Sequence, residues 1–393
     1  MKHIPKNDSM INIDKEPNKI DVNEKNEAIP SAPSIKIPLI IVAILTLVLL
    51  ALALILGLTL KKKTSTSESG WDLSYKKAKE FISNITFTER VNLLFGTENM
   101  KMETLLMQEE DWPHTCVGQI DPFKNENVDF KGMCLQDGPS GVRFARGTGI
   151  SWQGSMNNAM TFDKKLMYDI GKAQGEENKE KGINVALAPC VNMMRNPKGG
   201  RIWEAYGDDP YYVGVCGSQI TKGIQDAGVI ACIKHFVGND QETYRKSSSS
   251  NMDMRTLMDI YAEPFYRPIN EAKVGSIMAG YNAVNNTYCY ESKFLLTDVL
   301  RNILGFRGFV MSDWWEITND DPIVINSGVD MNMPGGKEYG PFEEERKYSS
   351  YGRSNSYWSN LEQQVKENKV TEERINEASN KNNGCNVSNE SNE

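Results

Sequence analysis

The segment GFVMSDWW, residues 308–315, runs four residues suited to a buried strand into Ser312 and Asp313 and then into two tryptophans. A carboxylate at the end of a buried strand is costly to desolvate unless it is paired or put to use. Asp313 could cap a following helix, a position that aspartate fills well. It could equally be a nucleophile or base in a lined pocket. Trp314 favours the second reading, because an indole face can stack against the apolar face of a sugar ring.

Three other runs carry comparable groups. KHFVGNDQETYR, residues 234–245, sets Lys234 beside His235 at the end of an apolar run. They suit either hydroxyl recognition or salt bridges to the nearby acids. Strand alternation sends such neighbours to opposite faces unless a bulge re-aims one. GGRIWEAYGDDP, residues 199–210, offers Arg201 as a planar fork of donors, with Glu204, Asp208 and Asp209 as acids that could simply balance it. CLQDGPSGVRF, residues 134–144, places Asp137 before a Gly-Pro turn, where an aspartate is also an ordinary turn-former. The GTG of residues 147–149 lacks the rest of a dinucleotide fingerprint.

The elements that must hold these groups read as alternating strands and helices. Apolar runs at 133–136, 185–189, 230–236, 276–281, 309–312 and 329–333 are separated by amphipathic stretches that include 163–181, 209–227, 253–272 and 292–304. Such alternation implies parallel β/α units. The expected fold is α/β, a (β/α)8 TIM-like barrel, with a doubly wound open sheet as the alternative. In a barrel the site gathers where strands end, and Asp137, Asn192, His235, Tyr281, Asp313 and Asn332 fall near such ends.

Composition narrows the chemistry. The net charge is −8 and no basic stripe with interleaved aromatics is present, which argues against a nucleic-acid partner. Seven cysteines form no C-x-x-C and only three histidines occur, which argues against a structural zinc site.

In order and spacing, these motifs resemble the N-terminal domain of fungal-type β-glucosidases of glycoside hydrolase family three. The resemblance spans roughly residues 71–375 and rests on WDLSYKKAKEF, CVGQI, CLQDGPSGVRF, GGRIWEAYGDDP, GIQDAGVIACIKHFVGNDQETYR, GSIMAGYNAVNN and GFRGFVMSDW. It implies hydrolysis of terminal β-D-glucosyl residues from β-glucosides or cello-oligosaccharides by a retaining mechanism, without cofactor or metal. The family's nucleophile falls on Asp313. Its glucose subsite falls on Asp137, Arg201, Lys234, His235, Tyr281 and Trp314, with Arg245 and Met278 at further motif positions. Cys116 and Cys134 match a cysteine pair that looks like a disulfide in this group.

The resemblance also implies a difficulty. Two-domain members take their acid/base from a glutamate in a second α/β domain, and nothing resembling that domain follows VTEERINEA. Single-barrel relatives, the bacterial-type N-acetylglucosaminidases, use a loop histidine. Here KHFVGND lacks it, and His3 and His114 precede the barrel strands. Glu204, Asp240 and Glu242 are conceivable acids. The expectation is therefore a β-glucosidase with impaired turnover; the alternative is a non-catalytic sugar-binding protein.

Residues 38–60, PLIIVAILTLVLLALALILGLTL, carry no charge and are long enough to cross a ~30 Å hydrocarbon core. They read as a single transmembrane helix between a disordered cytoplasmic tail at 1–37 and a linker at 61–70. Lys61, Lys62 and Lys63 favour a cytoplasmic C-terminal side. The sequons at Asn84 and Asn285 and the Cys116/Cys134 pair favour the opposite, as does a glucoside substrate met outside the cytosol. The expectation is a single-pass protein with its barrel, residues 71–378, extracellular or lumenal. Residues 379–393 read as a disordered polar tail.

Overall fold

The structure is a computed structural model that describes residues 70–96, 116–143, 149–317, 322–335 and 358–390. All of these belong to the second of two compact units, Ser67–Glu393. The tail and linker readings for 1–37 and 61–69 lie outside the described residues.

The main sheet has six strands. In chain order they are β1 (Gly118–Ile120), β4 (Met133–Gln136), β5 (Val185–Ala186), β6 (Ile230–Phe236), β8 (Ser276–Ala279) and β11 (Phe309–Met311), and they are neighbours in that same order. The small strands β2 (Phe123–Lys124) and β3 (Asp129–Phe130) form a hairpin between β1 and β4. Strands β7 (Ser249–Ser250), β9 (Ala283–Val284) and β10 (Thr287–Tyr288) form a separate small sheet.

Two features correct the closed eight-stranded parallel barrel expected from the sequence. The first strand, β1, pairs antiparallel with β4, because the short connection through the hairpin returns the chain directly. The run at 329–333 makes only isolated parallel bridges, Met311 to Met331 and Phe95 to Asn332, rather than a full strand. The result is a mixed-sheet half-barrel. It nonetheless buries both faces, as parallel sheets do. Val185, Leu187, Ile230, Cys232, Phe309 and Met311 fill the concave side, while Ala186, Ala231, Ile233, Ile277 and Val310 pack under the helices.

The single-span expectation is corrected too. Among the described residues no helix is long and apolar enough to cross a membrane, and residues 38–60 lie outside them. The membrane partner and the single-pass orientation built on that span have no support among the described residues.

The helices begin where aspartates stand. Asp163 accepts the Lys165 and Leu166 amides at the start of α1 (Lys164–Glu180), and Asp209 accepts the Tyr212 amide at the start of α2 (Pro210–Asp226). The helical stretch after Asp253 passes through a π-helix, Leu257–Ala262, and residues 294–303 are π-helical as well.

The polar segment from Ser379 onward is not a structureless tail. It continues a helix, α3 (Glu372–Glu390). Ile375 and Ala378 pack in the core, and from Ser379 onward its buried face is held by hydrogen bonds. Ser379 donates to the Arg90 carbonyl at 3.2 Å, and Asn382 donates to the carbonyls of Leu93 and Asp330 at 3.1 Å each. An apolar-periodicity reading misses such a helix.

Candidate active site

The strand ends deliver the chemistry. Asp137 follows β4, Lys234 and His235 end β6, Tyr281 follows β8, and Asp313 follows β11. Arg201 comes from the loop between β5 and α2. The pairing of β6 with β8 shifts register between Ile233 and Phe236, a bulge-like irregularity. It resolves the alternation problem: Lys234 and His235 line the same cavity.

That cavity is about 400 Å³, and all nine residues assigned to the site border it: Asp137, Arg201, Lys234, His235, Arg245, Met278, Tyr281, Asp313 and Trp314. Its size suits a small organic ligand. The lining also includes Glu204, one of the conceivable acids, and Val117, Arg143, Leu187, Trp203 and Trp315, to which the sequence assigns no role. Arg143 stood within the QDGPSGVR motif and could have been read as a cation for Asp137; Val117 and Leu187 carried no chemical signal.

Ion pairs organise the walls. Lys234 Nζ donates to Asp137 Oδ1 at 2.7 Å, and Arg143 lies 3.4 Å from the other oxygen. Burial acts to raise the Asp137 carboxyl, but Lys234 and Arg143 outweigh it and hold the group below its ordinary value. Arg201 makes a two-point pair with the buried Glu204, 3.1 Å on each arm. Arg245 pairs with Glu242 at 2.6 Å and stacks over the Tyr281 ring at 4.3 Å.

Asp313 has no such partner on its outer oxygen. Oδ1 accepts the Trp314 amide at 2.7 Å, whereas the buried Oδ2 has no hydrogen-bond partner. Burial pushes the Asp313 carboxyl above its ordinary value, against the opposing pull of Arg201, the Trp314 amide, Lys234 and the Tyr281 hydroxyl. Tyr281 donates to the Trp314 carbonyl at 2.7 Å, and Trp314 Nε1 donates to the Val117 carbonyl at 3.2 Å. These bonds fix the indole against the cavity. At Gly118 a Cβ would stand 2.8 Å from Trp314 Cζ2, so the glycine lets the ring pack against β1.

Cys116 and Cys134 form a disulfide that ties the start of β1 to β4. Asn84 and Asn285 are both exposed. The Asn285 side chain bonds the Met252 amide and carbonyl at 2.9 Å each, while Asn84 donates to the Glu80 carbonyl at 2.8 Å. Among the described residues no cluster of potential metal ligands occurs.

Residues 133–381 match the N-terminal domain of glycosyl hydrolase family 3. The chain is 38% identical over 317 residues to probable β-glucosidase F of Emericella nidulans, covering 79% of this chain and 33% of that protein. It is 37% identical over 311 residues to probable β-glucosidase L of Aspergillus fumigatus, covering 78% and 38%. Among solved structures it is similar to a β-D-glucoside glucohydrolase from Trichoderma reesei, with TM-score 0.71, 32% identity and coverage of 83% and 42%. It is also similar to β-glucosidase 3B from Thermotoga neapolitana in complex with glucose, with TM-score 0.68, 32% identity and coverage of 78% and 42%. The chain thus spans well under half the length of these relatives. With the family domain matched over most of its length, the chain belongs to glycosyl hydrolase family 3.

Proposed function

We propose that the cavity receives the terminal non-reducing β-D-glucosyl unit of a β-glucoside or cello-oligosaccharide, and that Asp313 is the nucleophile of a retaining hydrolysis. Oδ2 would bond to the anomeric carbon as the bond from that carbon to the leaving oxygen breaks. The electron pair would go to that oxygen, and water would later release the sugar from Asp313. The single observation that carries this reading is that Asp313, whose Oδ2 has no hydrogen bond, lines a cavity together with Lys234 and Arg201. Those two charges favour the ionised carboxylate that attack requires.

The other roles follow from donor type. Lys234, Arg201 and Asp137 would grip hydroxyls, with Asp137 kept ionised by its cations. Trp314 would supply an apolar platform, and Tyr281 and Arg245 would shape the wall beside it. The exposed Asn84 and Asn285 remain the glycan acceptors of this proposal.

A leaving oxygen needs a proton. Of the carboxylates lining the cavity, Asp137 and Glu204 are each committed to cations, so neither is poised to donate one. The acid of a retaining pair would have to come from outside the described lining. That observation also favours a second reading, in which the cavity binds a glucosyl unit without turning it over.

A chromogenic substrate separates the two readings. 2,4-Dinitrophenyl β-D-glucoside carries a leaving group that departs unprotonated. The full chain should release about one equivalent of nitrophenolate per site, and the Asp313→Asn chain none. Glucose binding without any release would establish the second reading.

A further inference from the structure

Glu316 stands three residues after the proposed nucleophile and outside the cavity lining. It is 4% exposed, and its Oε2 accepts the Asp313 backbone amide at 2.8 Å. The Glu316 amide in turn donates to the Asp313 carbonyl at 3.3 Å. This is the returning half of a capping box, in which a glutamate reaches back to the amide of the residue three positions earlier. The forward half is missing. Asp313 Oδ1 bonds the adjacent Trp314 amide, and Oδ2 bonds nothing.

The usual fate of an aspartate at a strand end is to spend its carboxylate on capping. Here the glutamate ties the turn from the other side. The turn keeps its shape without drawing on Asp313 Oδ2.

A second buried charge beside Asp313 would be costly. The groups facing Glu316 are Asp313, Lys246 and Glu291, with Tyr281 and Cys289 close enough to feel its charge. Its Oε1 is buried without a hydrogen-bond partner. A neutral hydroxyl tolerates that position far better than an anionic oxygen does. Burial, with Asp313 adding to it, raises the Glu316 carboxyl well above its ordinary value, and Lys246 opposes this only in part.

We propose that Glu316 is a positioning residue for the nucleophile: in its neutral, proton-bearing form it holds the Asp313 amide and so leaves the Asp313 carboxylate free to face the anomeric carbon. This rests on the reading of Asp313 as nucleophile.

The test uses the full chain and two variants. Glu316→Gln keeps a neutral carbonyl acceptor; Glu316→Leu removes it. The probe is 2,4-dinitrophenyl 2-deoxy-2-fluoro-β-D-glucoside, read by intact mass across pH. Glu316→Leu should label about 10²-fold more slowly at saturating probe, with the half-saturating concentration little changed. Glu316→Gln should recover most of the rate with an unchanged pH midpoint. A Glu316→Leu chain that labels at the unmodified rate would overturn the positioning role. A midpoint lowered by about one unit in Glu316→Gln would overturn the neutral form, because it would mean that a negative charge had been removed.

Hydrogen–deuterium exchange of the peptide spanning residues 309–317 decides the contact without any chemistry. One amide should exchange faster in Glu316→Leu and stay protected in Glu316→Gln; unaltered exchange in Glu316→Leu would sink the proposal. An unmodified chain that never labels would refute the nucleophile reading alone, while the exchange measurement would still judge the hold of Glu316 on Asp313.

Discussion

His235 Nε2 lies 3.5 Å from Asp313 Oδ2. Burial, reinforced by Arg201, Lys234 and Arg245, pushes the imidazole well below its ordinary value. Asn192 fixes the tautomer. Its Nδ2 donates to the His235 carbonyl at 3.0 Å, so its Oδ1 accepts both the His235 amide at 2.8 Å and Nδ1–H at 3.0 Å. Nε2 is therefore an acceptor that faces a second acceptor. A hydroxyl placed between them satisfies one lone pair on each, and a sugar supplies such hydroxyls. His235→Phe keeps an aromatic ring and removes the acceptor. It should weaken glucose binding about 10-fold to 100-fold, measured by calorimetry, as expected for one lost buried hydrogen bond.

Asp313→Asn should abolish glycosyl labelling, to below about a thousandth of the unmodified rate. It should also stabilise the fold at neutral pH. The folded-state carboxyl is raised above its ordinary value, so its contribution to stability is full below the unfolded pKa and is lost as pH rises through the folded one. The melting-temperature gain of the variant should therefore grow from pH 4 to pH 7. A gain that shrinks over that range would contradict the burial of an uncompensated charge.

Asp330 makes the opposite case. It is fully buried, 2.5 Å from Arg301 and 2.8 Å from Arg374, with Lys381 at 3.8 Å. Burial acts to raise its carboxyl, but the three cations bring it down to about 2. A depressed carboxyl contributes stability above its unfolded value, and this is lost as pH falls toward about 2. Asp330→Asn removes the buried counter-charge of Arg301, Arg374 and Lys381, of which the last two keep Glu377, and should cost about 3–5 kcal/mol at pH 7. Urea titrations at pH 7 and pH 3 check this; the deficit should be smaller at pH 3.

The Cys116–Cys134 disulfide couples to the site through one residue. Val117, next to Cys116, lines the cavity and accepts from Trp314 Nε1. The paired Cys116→Ser and Cys134→Ser changes should cost about 3 kcal/mol, the chain-entropy expectation for a closed loop of this size. They should also weaken glucose binding severalfold as Trp314 loosens. Thermal melting and a glucose titration followed by tryptophan fluorescence test both.

What was legible in the sequence had local causes. Asp163 and Asp209 marked helix starts because a cap is chemistry between near neighbours. The seven-residue β6 showed itself through its apolar start, Ile230–Ile233, as a strand buried on both faces does. The nine candidate site residues were picked out by the family resemblance of their motifs, and they border one cavity. What escaped was decided by distant partners. The run at 329–333 has a strand's composition, yet it makes only isolated bridges. The helix through Ser379, Asn382 and Asn383 is polar because it answers carbonyls and the buried Asp330, so no apolar stripe announced it. Glu316 was silent for a similar reason: it acts on a backbone amide, which no side-chain motif encodes.

The most direct measurement is peptide mapping of the full chain after incubation with 2,4-dinitrophenyl 2-deoxy-2-fluoro-β-D-glucoside. The account predicts one added 2-fluoroglucosyl group per chain, located on Asp313 within the peptide that contains residues 309–317. A label on another carboxylate, or a folded chain that gains no mass, would contradict Asp313 as the nucleophile.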